Sequence, residues 1–378
     1  MHSRISIVYM KVALIHDHLA QDGGAEAVLR VFAEMYPEAP IYTLLYEQKN
    51  ADKYYKNRRI ETSIIQRLPG GVKHYQWYMP FMPMAVEFFD LSRYDLVLSD
   101  SASFAKGVIT SPNALHINYC HTPTRYLWSD THLYIQELKY NKYFKKLIFL
   151  VLSYIRIWDR AAADRVDEYI ANSKTTQRRL KKYYKKKSHL IYPPVEIDQF
   201  KVSQNYEDFY LIGCRLVPYK RVDVVVLAFR EMGLKLKVFG DGVDEKRLRK
   251  IAGDAGNIEF LGRINNETRK NLYSKCIAFI HPQEEDFGIT PLEAMASGRP
   301  VIAYRKGGAK ETIIENETGV FFDKQKKEDI IEVVKNFKVE NFDSNNIRRH
   351  AENFSVDKFK INIKEYINKS WEEFNKNN

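Results

Sequence analysis

Two series of short apolar runs, each run of strand length and each followed by a longer helical segment, constrain this chain more than any other feature. The first series falls at residues 12–16, 41–44, 96–99, 116–119, 169–171 and 190–192, and the second at 210–214, 235–239, 258–261, 278–281, 301–304 and 320–322. Alternation of this kind specifies parallel strands joined by crossover helices. The first such helix, at 25–36, carries an apolar stripe of Val28, Leu29, Val31, Phe32 and Met35. Between the series stands Tyr192-Pro193-Pro194, and two prolines continue neither a helix nor a central strand. The expectation is an α/β fold of two doubly wound domains, 1–193 and 194–355, facing each other across a cleft lined by the loops after their strands.

At 378 residues the chain is long enough for two cores. Its three cysteines, Cys120, Cys214 and Cys276, are odd in number and set among apolar residues, so reduced thiols in a cytoplasmic protein are expected. The longest apolar run, 147–155, stops at Arg156 and is too short to cross a bilayer. The N-terminus shows no small-residue cleavage site and reads as a first strand; Met10-Lys11 is itself a plausible start, which would make residues 1–9 an extension.

The formal net charge of +11 is unevenly placed, with seven cations in residues 178–187 and four in 139–146. Such a surface attracts phosphate-rich partners, nucleic acid or an anionic membrane leaflet, unless it is only a solvated helix face. No zinc finger, basic zipper or RNA-binding module accompanies it. Leu147, Ile148, Phe149, Leu150 and Val151 follow the second run directly, and a buried helix is expected there in preference to a membrane interface.

The candidate chemistry falls on strand-end loops. Asp22-Gly23-Gly24 precedes the first helix and would let backbone amides approach an anion. Arg215, Lys220 and Arg221 lie between a strand and a helix, a placement that suits a diphosphate. In the segment 281–304, Thr290-Pro291-Leu292-Glu293 matches a capping box, with Thr290 as N-cap and Glu293 reaching back to it. Glu285 stands between Glu284 and Asp286, a crowding that costs free energy unless the site uses it. Gly288 bares the amides of the following helix. One acid in the loop and one in the first turn, with a phosphate between them, matches the shape of a sugar nucleotide. There is no G-x-G-x-x-G and no Walker loop. His16-Asp17-His18 has no evident third metal ligand and is expected to be structural.

Glu285 and Glu293, with seven residues between them that include Phe287-Gly288, resemble the E-x7-E signature of glycosyltransferase family four, retaining enzymes of the GT-B fold. The resemblance runs through Gly23-Gly24-Ala25-Glu26, Arg215 with Lys220, Gly240-Asp241-Gly242, Phe260-Leu261-Gly262-Arg263, Gly298-Arg299-Pro300-Val301 and Gly307-Gly308, covering roughly residues 11 to 360. Residues 119–128, YCHTPTRYLW, and Tyr192-Pro193-Pro194-Val195 look like the bacterial mannosyltransferases of O-antigen and exopolysaccharide assembly.

The resemblance implies two Rossmann-like domains, the first on the acceptor side and completed by a C-terminal helix at about 356–378, the second binding the nucleotide-sugar. It also implies roles. Glu285 would contact the donor hexose, Glu293 the ribose, and Arg215 with Lys220 the diphosphate under the Gly23-Gly24 loop. Gly262 would contact the base, with Phe287, Gly288, Ile289 and Thr290 lining the donor, and His121 would lie by the reacting sugar. No cofactor and no metal are expected, since cations and helix dipoles can stabilise the leaving diphosphate. The implied reaction moves a hexose, mannose from GDP-mannose as the best guess, to a lipid-linked or glycan acceptor at the inner face of the plasma membrane. Partners would be the nucleotide-sugar, that acceptor and an anionic membrane surface, with no nucleic acid. Two alternatives remain open on the sequence: a sugar-nucleotide epimerase of GT-B-like fold, and a non-enzymatic basic nucleic-acid-binding protein.

Overall fold

A computed structural model describes residues 10–20, 23–138 and 140–377. The suggested extension 1–9, Asp22, and Lys139 of the second basic run lie outside the described residues. The chain divides into two compact units, Met1–Pro193 with Lys360–Asn378, and Pro194–Phe359.

Unit 1 is built on strands β1 (Val12–His16), β2 (Ile41–Thr43), β3 (Ile60–Thr62), β4 (Leu96–Ser101), β5 (Leu115–Cys120), β6 (Glu168–Ala171) and β7 (His189–Leu190). They form one sheet in the order β3-β2-β1-β4-β5-β6-β7, every pair parallel. β1, β4 and β5 are buried along their whole length, and among the polar side chains buried with them Ser99 hydrogen-bonds both His116 and Asn118. β3 has one apolar residue in three and sits half-buried at the sheet edge, so no apolar run announced it. α1 (Gly24–Met35) lays Val28, Leu29, Val31 and Phe32 into the core, while Met35 stays outside it.

Unit 2 holds β8 (Tyr210–Gly213), β9 (Leu236–Phe239), β10 (Ile258–Gly262), β11 (Phe279–His281), β12 (Val301–Tyr304) and β13 (Gly319–Phe322), in the parallel order β10-β9-β8-β11-β12-β13. The two doubly wound parallel sheets are the α/β architecture expected from the alternation of runs.

Three further helices of unit 1 matter below. α2 (Met82–Glu87) is short, and α3 (Lys142–Ala162) runs for 21 residues. The last helix of the chain (Val356–Asn377) begins in unit 2 and continues into unit 1. There Lys360 Nζ lies 2.8 Å from Glu34 Oε2 and Tyr366 donates to Glu168 Oε2 at 2.7 Å. Among the described residues no helix is long and apolar enough to cross a membrane.

α3 does not fit the expectation of a buried helix. Leu152 and Ile155 enter the core, but Leu147, Phe149 and Leu150 are exposed. The helix is fixed instead by Asp159, whose carboxylate is almost wholly buried. It takes hydrogen bonds from Lys106 Nζ at 2.6 Å, Thr124 Oγ1 at 3.0 Å, Trp128 Nε1 at 2.7 Å and Tyr184 OH at 2.7 Å. Removing one partner of a buried ion pair leaves an uncompensated charge, worth about 3–5 kcal/mol. Asp159→Ala is therefore expected to lower the unfolding free energy by about that amount in denaturant titration, and the double variant Lys106→Met/Asp159→Leu by clearly less.

Candidate functional site

In a doubly wound sheet, loops part at the point where the chain stops adding strands to one side and starts on the other, and groups at those strand ends face an open crevice. In unit 2 that point lies between β8 and β11, which are neighbours in the sheet. A short 3-10 turn, Pro218–Lys220, follows β8 and carries Lys220; the loop after β11 carries Glu285. Topology thus brings together two side chains 65 residues apart: Lys220 Nζ donates to Glu285 Oε1, and both are largely buried.

Burial pushes the Glu285 carboxyl up, but the ammonium of Lys220 beside it more than reverses this, and the group is held at about 2. Burial likewise pulls Lys220 down, while Glu285 raises it above its ordinary value. Glu285 is therefore ionised at all physiological pH and acts as an acceptor of hydrogen bonds. Beside it, His281 at the end of β11 is pushed down to about 4 by burial and is neutral at neutral pH. Among the described residues, neither ring nitrogen of His281 nor Gln283 Oε1 has a hydrogen-bond partner, although all three are buried. Gly288 follows at φ 91°, and a Cβ there would lie 3.5 Å from both His281 Nε2 and Glu285 Oε2. The loop is clamped from behind by Gly307 and Gly308. Gly308 N donates to Glu285 O at 2.8 Å, and a Cβ on Gly307 would come within 2.2 Å of that same oxygen.

The capping box is not formed. The helix after the loop, Ile289–Ala296, has Gly288 as its N-cap and no side-chain cap, so Ile289, Thr290 and Pro291 lie within its first turn. The reason is the buried surroundings of Glu293, whose carboxylate turns away from the cap to Arg269 Nη1 at 3.1 Å and Tyr273 OH at 3.1 Å. Phe287 packs at 5.9 Å from the ring of Phe354. Arg215 is exposed after β8, and Gly262, at φ 65°, closes β10 at a break in its register.

Unit 1 has its own switch point, between β1 and β4, where His16 and Asp100 stand opposite one another in register. His16 Nδ1 lies 3.1 Å from Asp100 Oδ2 and its Nε2 3.9 Å from Glu26 Oε1, Glu26 coming from the first turn of α1 just after Gly23 and Gly24. The other oxygen of Asp100 bonds His121 Nε2, at the end of β5. Burial raises the Asp100 carboxyl, but His121 and His16 outweigh it and hold it below the carboxylate range. An ionised Asp100 only accepts, so His121 carries its hydrogen on Nε2. For His16, burial acts downward but Asp100 and Glu26 lift it to about 10, so it is an imidazolium at neutral pH. Asp17 is structural: Oδ1 accepts from the amides of Phe104 and Ala105 and Oδ2 from Ala102, each at 2.7 Å. Thr176 Oγ1 donates to His121 O at 3.0 Å and Arg179 to Thr122 at 3.1 Å, which fixes the segment carrying His121.

The expected residues thus divide, with His121, Gly23 and Gly24 in unit 1 and Arg215, Lys220, Gly262, Glu285, Phe287, Gly288, Ile289, Thr290 and Glu293 in unit 2. Sequence reasoning gave no role to Asp100, His281 or Gln283, and quoted Glu26 only as part of the Gly23–Glu26 motif. An acid ending the apolar run LVLSD and a histidine ending AFIH were the available signals, since polar residues at the carboxyl ends of buried parallel strands face the crevice.

The chain matches the family described as Glycosyltransferase Family 4 over residues 22–199 and that described as Glycosyl transferases group 1 over residues 196–354. A glycosyltransferase of Methanocaldococcus jannaschii, described as uncharacterized, is 27% identical over 55% of this chain and 61% of its own. The alpha-1,3/1,6-mannosyltransferase ALG2 of Dictyostelium discoideum is 26% identical over 82% of this chain and 85% of its own. A GDP-mannose-dependent alpha-mannosyltransferase of Mycolicibacterium smegmatis is 39% identical, over 29% of this chain and 28% of its own. Among solved structures, Anabaena HepE in complex with UDP-glucose superposes with a TM-score of 0.68 at 18% identity, covering 96% of this chain and 100% of that one. At that identity the likeness concerns the fold, which is GT-B.

The raised His16 makes a test of the unit 1 cluster. Its contribution to stability is full below the free value of about 6.5 and is lost as pH rises through the folded value of about 10. Between about pH 7 and pH 9 the stability difference between the protein and His16→Gln should shrink by about 1.4 kcal/mol per pH unit, read by denaturant unfolding. A difference that does not move with pH would contradict a charged His16.

Proposed function

We propose that this chain, which belongs to the glycosyltransferases of family 4 and group 1 across residues 22–354, moves mannose from GDP-mannose, with retention, to a lipid-linked or glycan acceptor in cell-surface polysaccharide synthesis. The observation that carries the reading is the buried pair of Lys220 and Glu285 at the switch point of unit 2, beside an uncapped helix start. The mannosyl donor rests on the mannosyltransferases among its relatives and on the segment YCHTPTRYLW at residues 119–128. Neither an epimerase nor a nucleic-acid binder gains support from any relative described above.

The proposed roles are those the resemblance implies, and the ionisation states of Glu285 and Lys220 support two of them. Glu285, ionised and acceptor-only, orients the hydroxyls of the donor hexose. Lys220, raised and cationic, shares its charge with the diphosphate once donor is bound, together with Arg215. Amides at Gly288, Ile289 and Thr290 face the phosphates. Glu293 takes the ribose hydroxyls and Gly262 the base. To His121 and the Gly23-Gly24 turn of unit 1 the resemblance assigns the reacting sugar and the donor phosphates. Glu285 is too acidic to serve as a proton donor, and the departing phosphate takes the acceptor's proton. No metal is needed in this scheme, because Lys220, Arg215 and the helix amides carry the developing charge. The acceptor reading places the protein in the cytoplasm, peripheral at the inner face of the plasma membrane.

Glu285→Gln should keep nucleotide affinity while turnover falls by roughly 10²–10³, as for loss of a hydrogen bond strengthened in the transition state. Near-normal turnover would remove Glu285 from the reaction. Lys220→Ala and Arg215→Ala should each weaken donor binding by about 1.5–3 kcal/mol in calorimetry. Thermal stabilisation measured with GDP-, UDP-, ADP- and dTDP-sugars should be largest with GDP-mannose; a larger effect from another base would replace the donor.

A further inference from the structure

α3 is apolar on two sides. Inward, Leu152 and Ile155, with Ile148, Val151 and Trp158, join the core of unit 1. Outward stand Tyr143, Leu147, Leu150, Tyr154 and Ile157, between 53% and 74% exposed and spaced four, three, four and three residues apart. That spacing places them in one stripe along the helix. Lys142 and Lys146 border the stripe on the same side as Arg160. The one acid of the helix, Asp159, faces inward in its pair with Lys106, so the outer surface of α3 is apolar and positive with no acid of its own.

A second patch adjoins it. Trp77, Phe81, Met84 and Phe88, on the 3-10 segment Tyr75–Phe81 and on α2 with the residue after it, are exposed, and residues 63–86 contain no acid. Both patches are backed by the same core cluster, and Trp158 of α3 donates to Glu87 of α2 at 2.8 Å. Apolar area of this extent on a water-exposed surface marks an interface.

We propose that the outer face of α3, with the aromatic patch of α2 beside it, inserts into the headgroup region of a bilayer containing anionic lipid. The apolar side chains enter the acyl boundary, and Lys142 and Lys146 pair with lipid phosphates. Charge decides this occupant over a second copy of the chain. Self-pairing along the stripe would bring the lysines of two chains of formal charge +11 together with no acid on the helix to meet them. The surface deepens the proposed function: it rests on that reading for its purpose, since it names where a lipid-linked acceptor would be met.

The test uses the full chain without donor or acceptor, sedimented with phosphatidylcholine vesicles with and without phosphatidylglycerol. Binding to the anionic vesicles should be only partly reversed by high salt, because part of it is apolar. The triple variant Leu147→Ser/Leu150→Ser/Ile157→Ser, at positions more than half exposed, should lose about ten-fold or more in vesicle affinity while the protein stays folded, as thermal unfolding would show. Lys142→Gln/Lys146→Gln should keep the apolar part and lose the preference for phosphatidylglycerol. No vesicle binding by the unaltered chain, or binding indifferent to the triple variant, would overturn the proposal. So would a dimer in sedimentation that the triple variant turns into a monomer, which would assign the face to a second copy. Binding that behaves as expected, in an enzyme whose acceptor proves to be a soluble glycan, would leave the surface standing and remove the lipid-linked reading alone.

Discussion

Unit 1 is tied together by one carboxylate. Asp159 draws four donors from three separate segments: Lys106 after β4, Thr124 and Trp128 in the stretch that follows His121, and Tyr184 in the turn before β7. A buried ion needs several partners at once, because charge–charge attraction alone does not offset its desolvation. Meeting that need fixes the position of α3 along and around its axis. It also fixes the loop after β5, whose threonine and tryptophan belong to the segment YCHTPTRYLW. Part of that signature is therefore structural: two of its polar side chains anchor the loop, and His121 is the one that reaches the switch-point cluster. The same anchoring turns the second apolar face of α3 outward.

Both sheets place charge by the same rule. In each, the chain reverses its direction of strand addition beside its first strand, and the loops there diverge. In unit 1 the gap collects Glu26, His16, Asp100 and His121, alternating acid and base. In unit 2 it collects Lys220 and Glu285, with His281 beside them. Buried ion pairs contribute little to stability compared with apolar packing, but they hold charge in one place and one protonation state. Unpartnered nitrogens on a buried histidine are a further cost, and the place where that cost is borne is the loop whose carboxylate is proposed to meet the sugar.

The basic run at 178–187 shows how charge counts mislead. Seven cations read as one patch, yet Arg179 bonds Thr122, Arg178 bonds Thr175 and Lys186 lies 3.6 Å from Asp164. The run is partly internal scaffolding for the loop after β5. The exposed apolar stripe on α3 was hidden for the opposite reason, since a helix apolar on both faces gives the sequence signature of a buried one.

The sequence by itself determined the two parallel sheets, the proline boundary and the loops that carry Glu285, Glu293, Lys220 and Gly288. Apolar runs of strand length alternating with helices admit few other folds, and strand ends are where such folds place polar groups. It did not determine β3, whose edge position needs one apolar residue, or the partner of Glu293. A capping box and a pair with Arg269 and Tyr273 are equally consistent with the letters TPLE. Only tertiary structure decided between them, as it decided that Lys220 meets Glu285, that Asp100 joins His16 to His121, and which face of α3 lies outside. Each is a contact between residues far apart in the chain, set by strand order and by the burial of neighbouring charge, and neither quantity is local to any stretch of sequence.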